Sequence, residues 1–161
     1  MSTFRDAGWV WEGHGFDPGI EPSIYGVGEG AEYFGLDNVN FMFHRNNHLN
    51  LSKVSGYGQV VAEISKWKWV EIEPDWEKHG WGYANHRDSR PETIREEAEN
   101  LSRVSLDFPN ITGAIVDDAS GMFGFDSYSS EWPERIGSAL RSANPDLKLW
   151  MVVYTHELDL E

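Results

Sequence analysis

Residues 109–124 read PNITGAIVDDASGMFG. The apolar run from Ile111 to Val116 predicts a short buried strand. It ends in two consecutive carboxylates, Asp117 and Asp118, and then in the small-residue turn Ala119-Ser120-Gly121. In an α/β protein the loops at the ends of parallel strands converge on one face, and chemistry is placed there. Two adjacent acids repel, so one of the pair is expected to titrate late, which is what an acid/base site uses. A solvated Asp-Asp turn or a helix cap is the competing reading of the same residues.

Working outward, residues 91–108 predict a helix. Pro91 suits its first turn, and Glu92, Glu96 and Glu97 complement the dipole at its N-terminal half. Ile94, Ala98, Leu101, Val104 and Phe108 recur at helical spacing before Pro109 closes it. A second helix is expected over residues 130–143, stopped by Asn144-Pro145-Asp146, and a strand over 147–155 that runs into His156-Glu157. Upstream, strands are expected at 8–11, 39–44 and 60–65, with short helices near 28–35 and 49–57 between them. Residues 66–90 carry four tryptophans and many charges and read as one elaborated loop; loops of that length are usually functional.

Strands alternating with helices predict a parallel sheet joined by right-handed crossovers. Side chains alternate faces along a strand, and here one parity is consistently the more polar. Asn40 and His44 oppose Val39, Phe41 and Phe43; Glu63 and Ser65 oppose Val60, Ala62 and Ile64; Lys148, Tyr154 and His156 oppose Leu147, Leu149, Met151 and Val153. A doubly wound sheet is covered by helices on both faces, where a mid-strand Glu63 is costly to bury. A barrel has helices outside only. The expected fold is therefore an α/β, TIM-type (β/α) barrel of parallel strands in a single domain. It is expected to be incomplete, because about five strands do not close a barrel of eight and about 250 residues are typical.

Composition narrows the partners. The 161 residues carry 27 acids against 13 Lys and Arg, a formal charge of −14, so nucleic acid and anionic membrane surfaces are not expected partners. No cysteine is present, which excludes disulfides, thiolate metal sites and cysteine nucleophiles. There is no signal-peptide pattern at the start and no apolar run of membrane-spanning length.

The runs NITGAIVDDASGMF, HRDSRPETIREEAENLSRVS and KLWMVVYTHEL together resemble uncharacterised bacterial glycoside-hydrolase-like TIM-barrel proteins, over most of residues 37–158. The resemblance implies a carbohydrate substrate and a barrel of which this chain is the N-terminal part. The adjacent aspartates are also similar, more loosely, to the pair in retaining β-N-acetylglucosaminidases that use substrate assistance. That likeness implies Asp117 as the acid that orients the substrate and Asp118 as general acid/base.

Glycoside hydrolysis needs two carboxyls flanking the scissile bond, about 5–5.5 Å apart for retention and about 6.5–9.5 Å for inversion. The candidate catalytic acids at strand ends are Asp117, Asp118 and Glu157. Candidate substrate contacts are Glu63, His44, Tyr154 and His156 on the polar parity, with Trp67, Trp69, His86, Arg87 and Asp88 from the long loop. Trp76 and Trp81 are further aromatic platforms, since pyranose faces are apolar. Each has a structural alternative: the tryptophans pack the loop, Glu63 makes a buried salt bridge to Lys148 or Arg45, and His156 bonds a backbone carbonyl. No cofactor or metal is expected. There is no His-Glu-x-x-His, the Gly26–Gly30 run lacks the lysine of a phosphate loop, and no nucleophile elbow is present. Two further readings stay open, a carbohydrate-binding relative without turnover and a metal-dependent hydrolase using His44, Glu63, Asp118 and His156.

Overall fold

A computed structural model describes residues 3–11, 26–71, 85–120 and 131–157, with the backbone alone at Glu71, Asn85, His86 and Glu157. The main sheet consists of β1 (Val10–Trp11), β2 (Asn38–Phe41), β3 (Gln59–Glu63), β6 (Ile111–Val116) and β7 (Lys148–Met151). All neighbours are parallel and the spatial order is β1-β2-β3-β6-β7. Each strand is laid beside the one before it, with no reversal of direction across the sheet. Residues 66–90, expected as a loop, contain an antiparallel hairpin of β4 (Trp69–Glu71) and β5 (Asn85–Arg87).

The described helices are α1 (Phe4–Ala7), α2 (Val27–Phe34), α3 (His48–Leu51), α4 (Pro91–Val104) and α5 (Glu131–Leu140). α3 is a single turn, capped by the Asn47 side chain and continued by a 3-10 turn, where a longer helix was expected. α4 starts at Pro91, and its Ile94, Ala98 and Leu101 are fully buried. Complete burial of a side chain the size of Ile94 or Leu101 contributes about 1.5–3 kcal/mol. The Ser102 hydroxyl accepts the N–H groups of Ala143 and Asn144 at 2.9 and 3.0 Å, which ties the chain after α5 to α4.

Helices α2 to α5 contribute to one apolar cluster. It joins Ala31, Leu51, Ile94, Leu101, Ile136 and Leu140 to Val39, Phe41, Val60, Ala62, Ala114 and Val116 of the sheet. Of these strand residues, Val39, Phe41, Val60 and Ala62 are of the apolar parity read from the sequence. A second, smaller cluster of Met42, Val61 and Ile115 occupies the opposite face, with Phe43 and Val152 against it.

Two local departures re-aim side chains. The register between β3 and β6 shifts, so that Val60 faces Ile111 while Val61 faces Gly113. The extra residue, Thr112, lets Ile111 share the helix-covered face with Ala114 and Val116, and sends Ile115 and then Asp117 to the other. The second departure is at Phe43. β2 ends at Phe41, and Phe43 has a φ of 64°, so the alternation expected to reach His44 is broken there.

At Gly113 the backbone of β7 leaves no room for a side chain. A Cβ there would collide with the Lys148 carbonyl oxygen and lie 3.2 Å from its carbonyl carbon. Gly113→Ala is expected to lower stability by about 1–3 kcal/mol, read as a lower urea midpoint. An unchanged midpoint would show that the two strands can separate at no cost.

Candidate active site

The face of the sheet opposite the helices carries the polar parity at its C-terminal edge. Glu63 ends β3 and is fully buried. Its Oε1 accepts the Ser65 hydroxyl at 2.5 Å and the backbone N–H groups of Ser65 and Lys66, so the carboxylate folds the turn that follows its own strand. Its Oε2 is buried with no hydrogen-bond partner among the described residues. The expected salt bridge to Lys148 or Arg45 is replaced by these local bonds. Burial pushes the Glu63 carboxyl up, its three donors oppose this, and the charge of Asp117 adds to the rise.

β6 delivers the aspartates to the same place. The Asp117 N–H donates to Ser65 Oγ at 3.0 Å, so one hydroxyl joins the ends of β3 and β6. Asp117 is buried, and Asp118 has a φ of 50°. This left-handed residue interrupts strand alternation and brings the second carboxylate back beside the first. Lys66 Nζ bonds Asp117 Oδ2 at 2.8 Å and also bonds Asp118 Oδ2. The Tyr154 hydroxyl donates to Asp118 Oδ1 at 2.9 Å, and Asp117 Oδ1 accepts the Asp118 N–H at 3.1 Å.

These bonds reverse the electrostatic expectation at Asp118. Burial raises its carboxyl, but the bonds from Lys66 and Tyr154 outweigh it and hold Asp118 below the usual carboxylate range. Burial depresses the Lys66 ammonium, and the bonds and charges of the two aspartates more than restore it. Tyr154 is raised by its bond to Asp118 and by that residue's charge. Lys66 is the residue that sequence reading missed. The available signal was its position three residues after Glu63, within a chain otherwise short of cations to hold a strand-end acid pair.

The hairpin supplies the next layer. Arg87 lies with its guanidinium carbon 4.0 Å from the Trp69 ring centre and 4.9 Å from that of Phe43. Burial lowers its pKa, while the charges of Glu63 and Asp117 act to raise it, which places all three within electrostatic reach. Trp67 is half-buried beneath Arg45 at 5.7 Å, and Trp69 is exposed.

Other candidates fall elsewhere. Asp88 is buried and its carboxylate is engaged by Arg90 at 2.7 and 2.8 Å, Thr93 at 2.9 Å and Lys68 at 3.2 Å. Those bonds, Arg90's foremost, hold it far below the carboxylate range, and they fasten the start of α4. His44 is exposed, lies 5.2 Å from the Phe41 ring, and lines a cleft of about 460 Å³ with Val27, Glu29, Asn50 and Tyr57, between α2 and α3. It therefore opens toward the helix side and does not join the aspartates. His156 is exposed and stacks on Tyr154 with ring centres 5.7 Å apart. The backbone of Glu157 follows in a 3-10 turn, and that of His86 is in β5. The side chains of Glu157 and His86, and all of Trp76 and Trp81, lie outside the described residues. Among the described residues no three His, Asp or Glu side chains converge as a metal site, and no helix is long and apolar enough to cross a membrane.

The loop after β2 is held from behind. Glu97 on α4 accepts the Asn46 N–H at 2.9 Å and the Asn100 amide at 3.3 Å, and Asn46 donates to the Glu63 carbonyl at 2.9 Å. Comparison of the chain with protein-family models, curated proteins and solved structures finds no match.

Burial raises Glu97 from 4.5 to about 7, against the bonds from Asn46 and Asn100. The folded protein therefore keeps a proton between these values that the unfolded chain releases. Its contribution to stability is full below pH 4.5, falls as pH rises, and levels off above about 7. The loss across that window is about 3 kcal/mol. Glu97→Gln should flatten this part of the profile in denaturation series from pH 4 to 8. An unaltered slope would show that Glu97 ionises normally.

Proposed function

We propose that the five parallel strands of this chain belong to a (β/α) barrel and that it acts on carbohydrate through carboxylate general acid/base chemistry at the C-terminal edge of the barrel's inner face. The observation that carries the reading is the meeting of Glu63, Asp117 and Asp118 on that face, around Lys66 and Tyr154. Two features support the barrel. The strands follow chain order without the reversal that a doubly wound sheet requires, and helices α2 to α5 share one core on one face. Support for a sugar substrate comes from carboxylates combined with the exposed ring of Trp69 and with Tyr154, the pairing of acids and apolar platforms that pyranoses need.

The electrostatics assign roles different from those the resemblance implies. Asp118 works ionised, as the base or as the charge that stabilises an oxocarbenium-like transition state. Glu63 is the carboxyl that burial shifts toward its protonated form. Groups whose environments push their pKa values apart divide acid from base between them. Asp117 holds the Lys66 ammonium, and through it positions Asp118.

A second reading, binding without turnover, is favoured by one observation: both aspartates are ion-paired to Lys66. Hydrolysis of a panel of aryl glycosides and oligosaccharides separates the two. On a turned-over substrate, Asp118→Asn should reduce kcat by about 10²–10⁴-fold. The kcat/KM profile should fall on the acid side as Asp118 protonates, below the ordinary carboxylate range. It should fall on the alkaline side as Glu63 ionises, above that range, and Glu63→Gln should remove the alkaline limb. Full activity in Asp118→Asn would sink the catalytic assignment, and saturable binding with no hydrolysis of any substrate would leave the binding reading.

A further inference from the structure

Arg87 and Trp67 each carry a buried donor with nothing to bond. Arg87 Nη1 and Trp67 Nε1 are enclosed, and neither has a hydrogen-bond partner among the described residues. Of the other cations nearby, Lys66 is held by Asp117 and Asp118, Lys68 and Arg90 are held by Asp88, and Arg45 lies over the Trp67 ring. Arg87 has no ion pair among the described residues, in a chain whose formal charge is −14. Its guanidinium is held between Phe43 and Trp69, so its plane is fixed before any ligand arrives.

The two donors come from neighbouring segments. Trp69 pairs with Arg87 in the hairpin, and the Asp88 N–H bonds the Lys68 carbonyl at 2.9 Å, so the chain just after Trp67 runs beside residues 87 and 88. Buried donors are almost always satisfied, and those that are not point to a missing acceptor. We propose that Arg87 and Trp67 form an oxyanion subsite beside the carboxylate cluster, which selects a carbohydrate bearing a carboxylate, a uronic-acid unit.

This rests on the carbohydrate reading above and names its substrate class. A carboxylate offers two acceptor oxygens, one for each donor, and the bond to Arg87 is charge-assisted. Guanidinium and indole together carry a single positive charge, which a carboxylate balances. A phosphate or sulfate ester with more charge or more oxygens leaves acceptors unmatched next to Asp117. The sugar ring attached to the carboxylate reaches the exposed face of Trp69 and the acids behind it.

The test is calorimetric titration of the chain with tetragalacturonate and with its carboxyl-reduced, neutral counterpart, supported by tryptophan fluorescence. The acidic tetrasaccharide should bind at least about tenfold more tightly, with a preference that shrinks as salt rises. Arg87→Gln should bring the ratio of the two affinities to near one. Arg87→Lys, which keeps the charge without the planar fork, should retain only part of it. Equal affinity of the wild-type chain for the two sugars overturns the subsite and leaves the carbohydrate reading standing. So does an undiminished preference in a folded Arg87→Gln protein. Binding of neither sugar overturns both.

Discussion

The ammonium of Lys66 is the contact on which the inner edge of this sheet depends. Two aspartates adjacent in sequence would normally separate, one pointing to each side of the strand. Here Asp118 adopts a left-handed backbone, and both carboxylates reach the same Nζ. A non-glycine residue in that region costs about 1–2 kcal/mol. A charge-assisted hydrogen bond returns about 1.5–3 kcal/mol, less where water competes, and Asp118 has two partners in Lys66 and Tyr154. The turn is therefore held by the charges it brings together. Because the cation sits between the acids, like-charge repulsion does not set the titration of Asp118; the ion pair does.

Ser65 couples this pair to the buried acid. Its oxygen accepts from the Asp117 backbone while its hydrogen goes to Glu63. That arrangement fixes the spacing of β3 and β6 beyond the last ladder bond, where the strands would otherwise fray. It also explains why a fully buried carboxyl is tolerated without a salt bridge. Glu63 has three donors on one oxygen, and burial raises its pKa so that it can hold a proton and does not need a counter-charge. Glu63 and Asp118 are then shifted in opposite directions within one small cluster, because one is enclosed and the other is bonded to an ammonium.

Strand parity was legible from the amino-acid sequence because burial follows it directly: Val39, Phe41, Val60 and Ala62 face the helices, and Glu63 and Ser65 do not. The convergence of Glu63 with the aspartates follows from that parity. Lys66 was missed because its partners lie 51 and 52 residues away, and its place three residues after Glu63 was the one local mark. His44 was misplaced because a single backbone angle at Phe43 breaks an alternation that composition cannot show. The stretch HRDSR read as a binding cluster, yet Asp88 is consumed at the start of α4 by Arg90 and Thr93. A dense charge cluster looks the same in sequence whether its members face a ligand or each other.

Glu97 shows why the support behind a site can retain an ill-placed charge. The Asn46 N–H and the Asn100 side-chain amide both point at the same buried space, and Asn100 also donates to the Asn46 carbonyl at 2.7 Å. A carboxyl satisfies both donors, whereas an amide in its place offers one acceptor and sets a second N–H against Asn100. Desolvation of the carboxyl is thus set against two unsatisfied donors, each of which would cost about 1–3 kcal/mol. The balance is close, which is why the group titrates near neutrality. It favours the acid because Asn46 must also reach the carbonyl of Glu63. The segment carrying Phe43 and Arg45 is consequently anchored to α4 and to β3 at once, and the rings stacked against Arg87 and beneath Arg45 inherit their positions from that double attachment.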